Sequence, residues 1–374
     1  MLHILTAGLY AVQLGVVNGA YLESDGGSSE PSPSAIHQPR LPPMQPPTPR
    51  PEPDNPLRTI LQQVEVGEPF QHGGLRVFPL TLRRGKDSGI ATLDQALANN
   101  WLTIRELEEP RVPTLRVQNN ARQPVLLLAG EFLLGGRQNR IVREDVLLPA
   151  LSDVVDVPVY CGEQRRWEEG PLLFRSAGGL AGHVVRRMAA QDAPQTAVWE
   201  SIDTQLTTAK VEAPTRSYPE IYADKEIQRA TSTAARKLRG VVGRDTLGAV
   251  IFSHGRLASC ELFSDPALFA LEWEKICHAH VLDEQVLRHT PVEADVRRPD
   301  RALVRHFLSD IAAARVTSQQ TAGAGESLLV SGEVEGRALV WQAQVVHATL
   351  YPTHSVEIQP LPKPLPRPRP QVIE

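Results

Sequence analysis

Val125-Leu126-Leu127-Leu128 is a short continuous apolar run, and two more strand-like stretches, residues 141–148 and 154–160, follow it closely. Each has the length and composition of a strand. Residues 102–107, with Leu102 and Ile104 alternating against Thr103 and Arg105, and residues 114–117 extend the series upstream. The gaps between these runs leave no room for crossover helices. The spacing favours antiparallel pairing over a doubly wound parallel sheet. The fold class is α+β: mainly antiparallel sheets packed with several helices.

Working outward, residues 75–80 form a strand, with Pro79 marking an edge or a strand end. Thr92 is a good N-cap and Gln95 completes a capping box, so a short helix begins there and stops at Asn99-Asn100. Residues 196–208 and 220–239 have helix-forming composition, with Gly240 as a stop. Residues 248–252 and 256–263 form a strand pair turned by His254-Gly255. Asp265 before Pro266 opens a helix that runs to about residue 287. Residues 300–315 are a further helix, and residues 328–333 and 337–347 close the domain as a hairpin around Glu335-Gly336.

Prolines crowd residues 31–56 and 360–370. Proline lacks the amide donor of a sheet ladder or helix interior, so these stretches read as extended, disordered tails. The chain divides into an apolar leader and proline-rich linker (1–58), one globular domain (59–358) and a proline-rich tail (359–374). Pro-x-x-Pro spacings in the tails would suit an aromatic groove on a protein partner. Residues 2–22 are mildly apolar but lack a positive flank, and they are too polar for a membrane span. Three cysteines, Cys161, Cys260 and Cys277, make no disulfide framework. These features place the protein in the cytoplasm, with secretion through a weak N-terminal signal as the alternative. A net charge of −4, without a basic stripe, excludes nucleic acid as a partner.

The stretch most suggestive of chemistry is Gly130-Glu131-Phe132-Leu133-Leu134-Gly135-Gly136-Arg137-Gln138-Asn139-Arg140, a glycine-bearing turn between two strands. Gly135 and Gly136 permit positive φ and a close backbone approach. Arg137 and Arg140 could hold a phosphate or carboxylate, and Gln138 and Asn139 could orient a ligand. The arginines could equally pair with Glu144 or Asp145. No Gly-x-x-x-x-Gly-Lys-Ser/Thr and no Gly-x-Gly-x-x-Gly opening a helix is present, so a nucleotide fold of those types is unsupported. A second cluster holds Cys161, Glu163, Arg165, Arg166 and Trp167. Glu131 and Glu163 are candidate acid–base groups, and Cys161 is a candidate nucleophile if a neighbouring arginine lowers its pKa. Cys161 as a small core residue is the plainer reading. Arg166 and Trp167 are candidate ligand contacts, the tryptophan by stacking. Cys277, His280 and Glu284 share a helix face, but no Cys-x-x-Cys or His-Glu-x-x-His accompanies them, and no metal site is assigned. The sequence leaves the cofactor open.

Three segments together resemble a known family: Leu126-Leu127-Leu128-Ala129-Gly130-Glu131, Gly135 to Arg140, and Val157-Pro158-Val159-Tyr160-Cys161-Gly162-Glu163 with Arg166-Trp167. They are similar to the ARG and rhodanese-phosphatase superfamily associated protein domain, where ARG stands for ADP-ribosylglycohydrolase. The likeness is specific from about Phe78 to Trp167 and continues to about His347. It implies a place in NAD or ADP-ribose metabolism and brings no catalytic residues to transfer. Phe132 stands beside Glu131 where the family is expected to carry a second acidic residue, which leaves Glu131 as the carboxylate of interest. Three functions are open: a ligand-binding or accessory module for a nucleotide-derived small molecule, a hydrolase acting on an ADP-ribosyl or related bond, and a non-catalytic interaction scaffold.

Overall fold

The strand Thr246–Ser253 reads Thr-Leu-Gly-Ala-Val-Ile-Phe-Ser and is buried along nearly its whole length. Its side chains divide between two cores: Val250 and Phe252 join one apolar cluster, Ala249 and Ile251 another. A strand that is apolar on both faces needs cover on both, and the rest of the chain provides it. The structure, a computed structural model, describes residues 55–83, 87–106, 114–165, 174–287 and 298–354. Both proline-rich tails, and Arg166 and Trp167, lie outside the described residues.

In chain order, helix α1 (Pro56–Leu61) precedes the short strands β1 (Glu65–Val66) and β2 (Phe70–His72), which both pair with β3 (Leu75–Thr81). Strand β4 (Ala91–Thr92) runs into α2 (Leu93–Ala98), where the Thr92–Gln95 capping box forms in both directions. Eight short strands carry the chain onward from there: β5 (Leu102–Glu106), β6 (Thr114–Asn119), β7 (Val125–Leu127), β8 (Glu131–Leu134), β9 (Arg140–Val142), β10 (Val146–Leu148), β11 (Val155–Cys161) and β12 (Arg175–Leu180). Helices α3 (His183–Ala190), α4 (Gln195–Thr208) and α5 (Lys225–Leu238) lead to the hairpin β13 (Thr246–Ser253) and β14 (Arg256–Phe263). Helices α6 (Pro266–Leu287) and α7 (Arg301–Ala313) precede a closing meander, β15 (Arg315–Gln320), β16 (Glu326–Ser331), β17 (Val334–Trp341) and β18 (Gln344–Pro352).

A nine-stranded sheet has the order β1-β3-β13-β14-β18-β17-β16-β15, with β2 also on β3. A six-stranded sheet runs β12-β8-β9-β11-β6-β5, and a three-stranded sheet runs β10-β7-β4. Among the described strands only β4 and β7 pair in parallel, so the fold is α+β and mainly antiparallel. Helix α7 covers one face of the large sheet through Val304, Phe307, Leu308 and Ile311. Helix α6 lies on the other face through Leu268, Phe269, Trp273 and Ile276.

Three sequence expectations need correction. Residues 141–148 are not one strand: β9 and β10 belong to different sheets, and the chain bends at Arg143-Glu144-Asp145. The bend is held because Asp145 Oδ1 accepts the Ala129 amide at 2.8 Å and Asp145 Oδ2 meets His347 Nδ1 at 2.6 Å. The stretch from Gly130 to Arg140 is not all turn, since Glu131–Leu134 is β8. Glu335-Gly336 lies inside β17, not at a hairpin tip. The turns are at Gly332-Glu333 and at Gln342-Ala343, whose φ angles of 51° and 59° give the left-handed two-residue connection that suits strand twist.

The layers are tied by one buried ionic network. Arg186 Nη1 and Nη2 donate to Glu261 Oε1 and Oε2 at 2.7 and 3.1 Å, and Nη2 also donates to Thr349 Oγ1 at 3.0 Å. Arg186 Nε donates to the Ala129 carbonyl at 3.0 Å. His347 bridges Asp145 and Glu261 through its two ring nitrogens. Burial works against the charge on Glu261, but Arg186 and His347 outweigh it and hold that carboxyl far below the usual carboxylate range. Burial alone would lower His347. The Asp145 and Glu261 carboxylates reverse this and push it up to about 9. A histidine raised on folding adds stability that is complete below its unfolded value near 6.5 and is lost as pH rises through the folded value. Thermal melts of the wild type should therefore weaken between pH 6.5 and about 9, with His347 contributing on the order of 3 kcal/mol. His347→Gln should be less stable at pH 6.5 and should lose this histidine's share of the dependence.

Candidate functional site

The turn after β8 is tight because Gly136 adopts φ 57°, and a Cβ there would lie 2.7 Å from both Glu106 Oε1 and Phe174 Cζ. Its polar groups are consumed locally. The Gly135 amide donates to Asn139 Oδ1 at 3.2 Å, and the Arg137 amide donates to Glu106 Oε1 and Oε2 at 3.2 Å. Gln138 Nε2 donates to the Glu163 carbonyl at 3.0 Å, the Asn139 amide to Glu163 Oε2 at 3.1 Å, and Asn139 Nδ2 to Ser217 Oγ at 2.9 Å. Arg140 is buried and pairs with Glu106, not with Glu144 or Asp145: Nη2 reaches Glu106 Oε1 at 3.1 Å. Its Nη1 donates to Gln138 Oε1 at 3.0 Å and to Cys161 Sγ at 2.8 Å.

Cys161 sits at the end of β11, beside Arg140, and is buried. Burial pushes its thiol up despite the guanidinium, so it is not a thiolate at neutral pH. Two residues without any motif signature complete this frame. Gln195 clasps the Cys161 backbone, accepting its amide at 2.8 Å and donating to its carbonyl at 3.1 Å, and Trp199 Nε1 donates to the same carbonyl at 3.1 Å.

The structure thus brings Gln138, Asn139, Arg140, Cys161 and Glu163 together around one turn, and it does not bring Glu131 to them. Glu131 stands at the opposite end of β8, level with Leu180 of β12. There its Oε2 accepts the Leu128 amide at 2.8 Å and its Oε1 receives Lys275 Nζ at 2.5 Å. Lys275 also meets Glu272 Oε2 at 2.7 Å and Asp94 Oδ2 at 2.9 Å. One ammonium therefore serves three carboxyl groups from β8, α2 and α6. Glu131, Glu272 and Lys275 are buried, whereas the Asp94 side chain is 39% exposed and forms the cluster's opening to solvent.

Titration separates the members. Burial raises Glu131, Lys275 opposes, and repulsion from Glu272 and Asp94 brings it up to about 8. Burial likewise raises Glu272 against the pull of Lys275. For Asp94 burial is outweighed by Lys275, and its carboxyl is held below the usual range. Lys275 is disfavoured by burial, yet the three carboxylates hold it firmly protonated. The sequence carried one overlooked signal for this cluster: Glu272 and Lys275, three residues apart, interrupt the apolar run Phe269, Trp273, Ile276 on α6.

Further along α6 the trio Cys277, His280 and Glu284 separates. Cys277 joins the apolar core, His280 Nε2 meets Ser259 Oγ at 3.1 Å and its ring stacks on His183 at 5.1 Å, and Glu284 lies under the Gly73-Gly74 turn. His183 Nδ1 is held by Asp283 Oδ2 at 2.6 Å. Among the described residues no group of three or more His, Cys, Asp or Glu is arranged to hold a metal ion.

The fold and its site define an antiparallel α+β domain with a glycine-turn frame and a buried lysine–carboxylate centre. A family model of the ARG and Rhodanese-Phosphatase-superfamily-associated Protein domain matches residues 63–351, and the chain belongs to that family. Neither a curated protein nor a solved structure matches the chain.

Because Arg140 is buried and committed to Glu106, Gln138 and Cys161, Arg140→Ala should act first on stability. Loss of the pair should cost about 2–4 kcal/mol, read as a melting temperature several degrees lower. Arg137→Ala, whose mapped bond is made by its backbone amide, should leave the melt within about 1 kcal/mol of the wild type.

Proposed function

We propose that the domain binds a nucleotide-derived compound of the NAD or ADP-ribose kind, and that the Lys275 cluster is an acid–base centre able to cleave an ADP-ribosyl or related glycosidic bond. One observation carries this reading. Glu131 and Asp94 share a single ammonium, yet Glu131 is raised to about 8 while Asp94 is held low. Carboxyl groups whose environments push them apart are suited to separate acid and base roles. At neutral pH Glu131 can carry the proton that a leaving group needs, and Asp94 stays ionised at the solvent side, where it can orient or deprotonate a water.

The ligand class rests on the family's description, which ties the domain to the ARG superfamily. In this reading the domain works beside an enzyme of that superfamily, and the proline-rich tails provide contacts to a protein partner. Gly135, Gly136, Gln138, Asn139 and Arg140 fix the far end of β8, and through it the position of Glu131. Among the described residues no helix is long and apolar enough to cross a membrane. The three cysteines are free thiols, in keeping with a reducing compartment such as the cytoplasm. A scaffold role is favoured by one observation, that the polar groups of the turn find their partners inside the fold.

The test pairs binding with turnover. ADP-ribose and NAD should raise the melting temperature of the wild type, and substrates with an ADP-ribosyl bond should be hydrolysed. Glu131→Gln should keep the ligand-induced shift while lowering turnover by about 10²–10⁴. The rate should fall above pH about 8, where the general acid loses its proton. A wild-type protein that neither shifts with these ligands nor turns them over, in a melt that is otherwise cooperative, overturns the proposal.

A further inference from the structure

Glu272 has no part in the reaction proposed above, yet it is buried on the same ammonium as the acid Glu131. Lys275 Nζ lies 2.5 Å from Glu131 Oε1 and 2.7 Å from Glu272 Oε2. Two carboxyl groups held on one nitrogen stand within a few ångströms of each other. Asp94 of α2 is the third carboxyl on that nitrogen, and of the three side chains it is the one with substantial access to water. The next cation toward Glu272 is His347 of β18, which is already held by Asp145 and Glu261.

Charge counting restricts what this arrangement can hold. With all three carboxyl groups ionised, Lys275 would compensate one and leave two negative charges over, at least one of them away from water. Carboxylates that share a buried site do not both ionise. Hydrogen bonding favours Glu131 as the anion, because its Oε2 accepts the Leu128 amide at 2.8 Å and its Oε1 accepts from Lys275. Glu272 Oε2 meets the same ammonium in a direction too poor for a hydrogen bond, which favours a proton on Glu272. Burial and repulsion act the other way and raise Glu131 to about 8, with Glu272 the stronger of its two repulsive neighbours. Each carboxyl thus has its own reason to keep the proton, and their titration belongs to the pair.

We infer that Glu131 and Glu272 hold one proton in common at neutral pH, which makes Glu272 a positioning residue for the acid. The shared proton itself does not depend on turnover, but its consequence rests on the acid–base reading given above. Once Glu131 has passed its proton to a leaving group, both members are carboxylates on one ammonium. That excess negative charge draws the next proton in from solvent at the Asp94 side and resets the acid.

Infrared difference spectra of the full-length protein, wild type against variant at pH 7, detect the proton without any substrate. The wild type should show the carbonyl stretch of one buried, protonated carboxyl group. Glu131→Gln and Glu272→Gln should each abolish it, because the carboxyl left behind faces Lys275 with one repulsive neighbour fewer and ionises. Glu272→Asp keeps the charge and should keep the band at a shifted frequency, so it decides alone if Glu272→Gln does not fold. In turnover, Glu272→Gln should move the alkaline limb of the rate down by at least about one pH unit with KM unchanged, and Glu272→Asp should restore it. A band that survives in either glutamine variant, an unshifted band in Glu272→Asp, or no such band in the wild type would each overturn the shared proton. The expected spectra from a protein that turns over no ADP-ribosyl substrate would keep the pair and discard the reaction, so the two failures are distinguishable.

Discussion

Arg186 is almost fully buried in helix α3, and everything around it is arranged to make that burial tolerable. A guanidinium removed from water costs several kcal/mol unless every donor is met and the charge is balanced. Glu261 from β14 balances it, Thr349 from β18 and the Ala129 carbonyl take further donors, and His347 joins Glu261 to Asp145. The two cations and two anions sum to neutrality. Their positions are mutually dependent, since displacing any one leaves a buried charge unpaired. The network links α3, the large sheet, and the two links that connect the small sheets, at Ala129 and at Asp145. Glu131 lies two residues beyond Ala129, so the geometry of the lysine cluster inherits its accuracy from this clamp.

Helix α6 shows how one element serves several environments. Leu268, Phe269 and Ile276 face the large sheet, while Glu272, Lys275, His280 and Asp283 face α2, β8, β14 and α3. Only a narrow strip of this helix, at Ala267, Ala270, Leu271 and Glu274, is exposed, and a helix covered around most of its girth loses the clear amphipathic pattern of a surface helix. Its polar residues are then the unusual ones, because each must find a partner of opposite character within reach. Lys275 finds three, and that excess of carboxyl groups is what brings Glu131 into the neutral range.

Local rules were readable in the sequence and tertiary ones were not. The capping box at Thr92, the N-cap Asp265 and the turn at His254-Gly255 depend on a few adjacent residues, and they form as expected. The antiparallel α+β class followed from the spacing of short strands. Three consecutive charged residues, Arg143-Glu144-Asp145, were the local sign of the break between β9 and β10, but the contact that holds the bend, Asp145 with His347, joins residues some two hundred positions apart. Strand β15, Arg-Val-Thr-Ser-Gln-Gln, is exposed on both faces and shows no alternation to read. At the candidate site Glu131 stood out by its glycine neighbour, whereas Asp94, Glu272 and Lys275 are ordinary helix residues until the fold brings them together. Gln138, Asn139 and Arg140 stood out for polar density, and the structure spends that density on holding a turn.

The order of the large sheet has a consequence for the protein's synthesis. Strand β3 pairs with β13, and the chain must travel about 165 residues between them, which at ribosomal rates takes on the order of 10 s or more. For that interval Val77, Phe78 and Leu80 have only the two short strands β1 and β2 beside them, with neither of the cores that later bury them. The nascent chain therefore carries an unpaired apolar edge while nearly half of its length is synthesised. Pro79 does not blunt that edge: its carbonyl accepts the Gly67 amide, so its missing donor faces the β1 side, and the edge that awaits β13 keeps its donors.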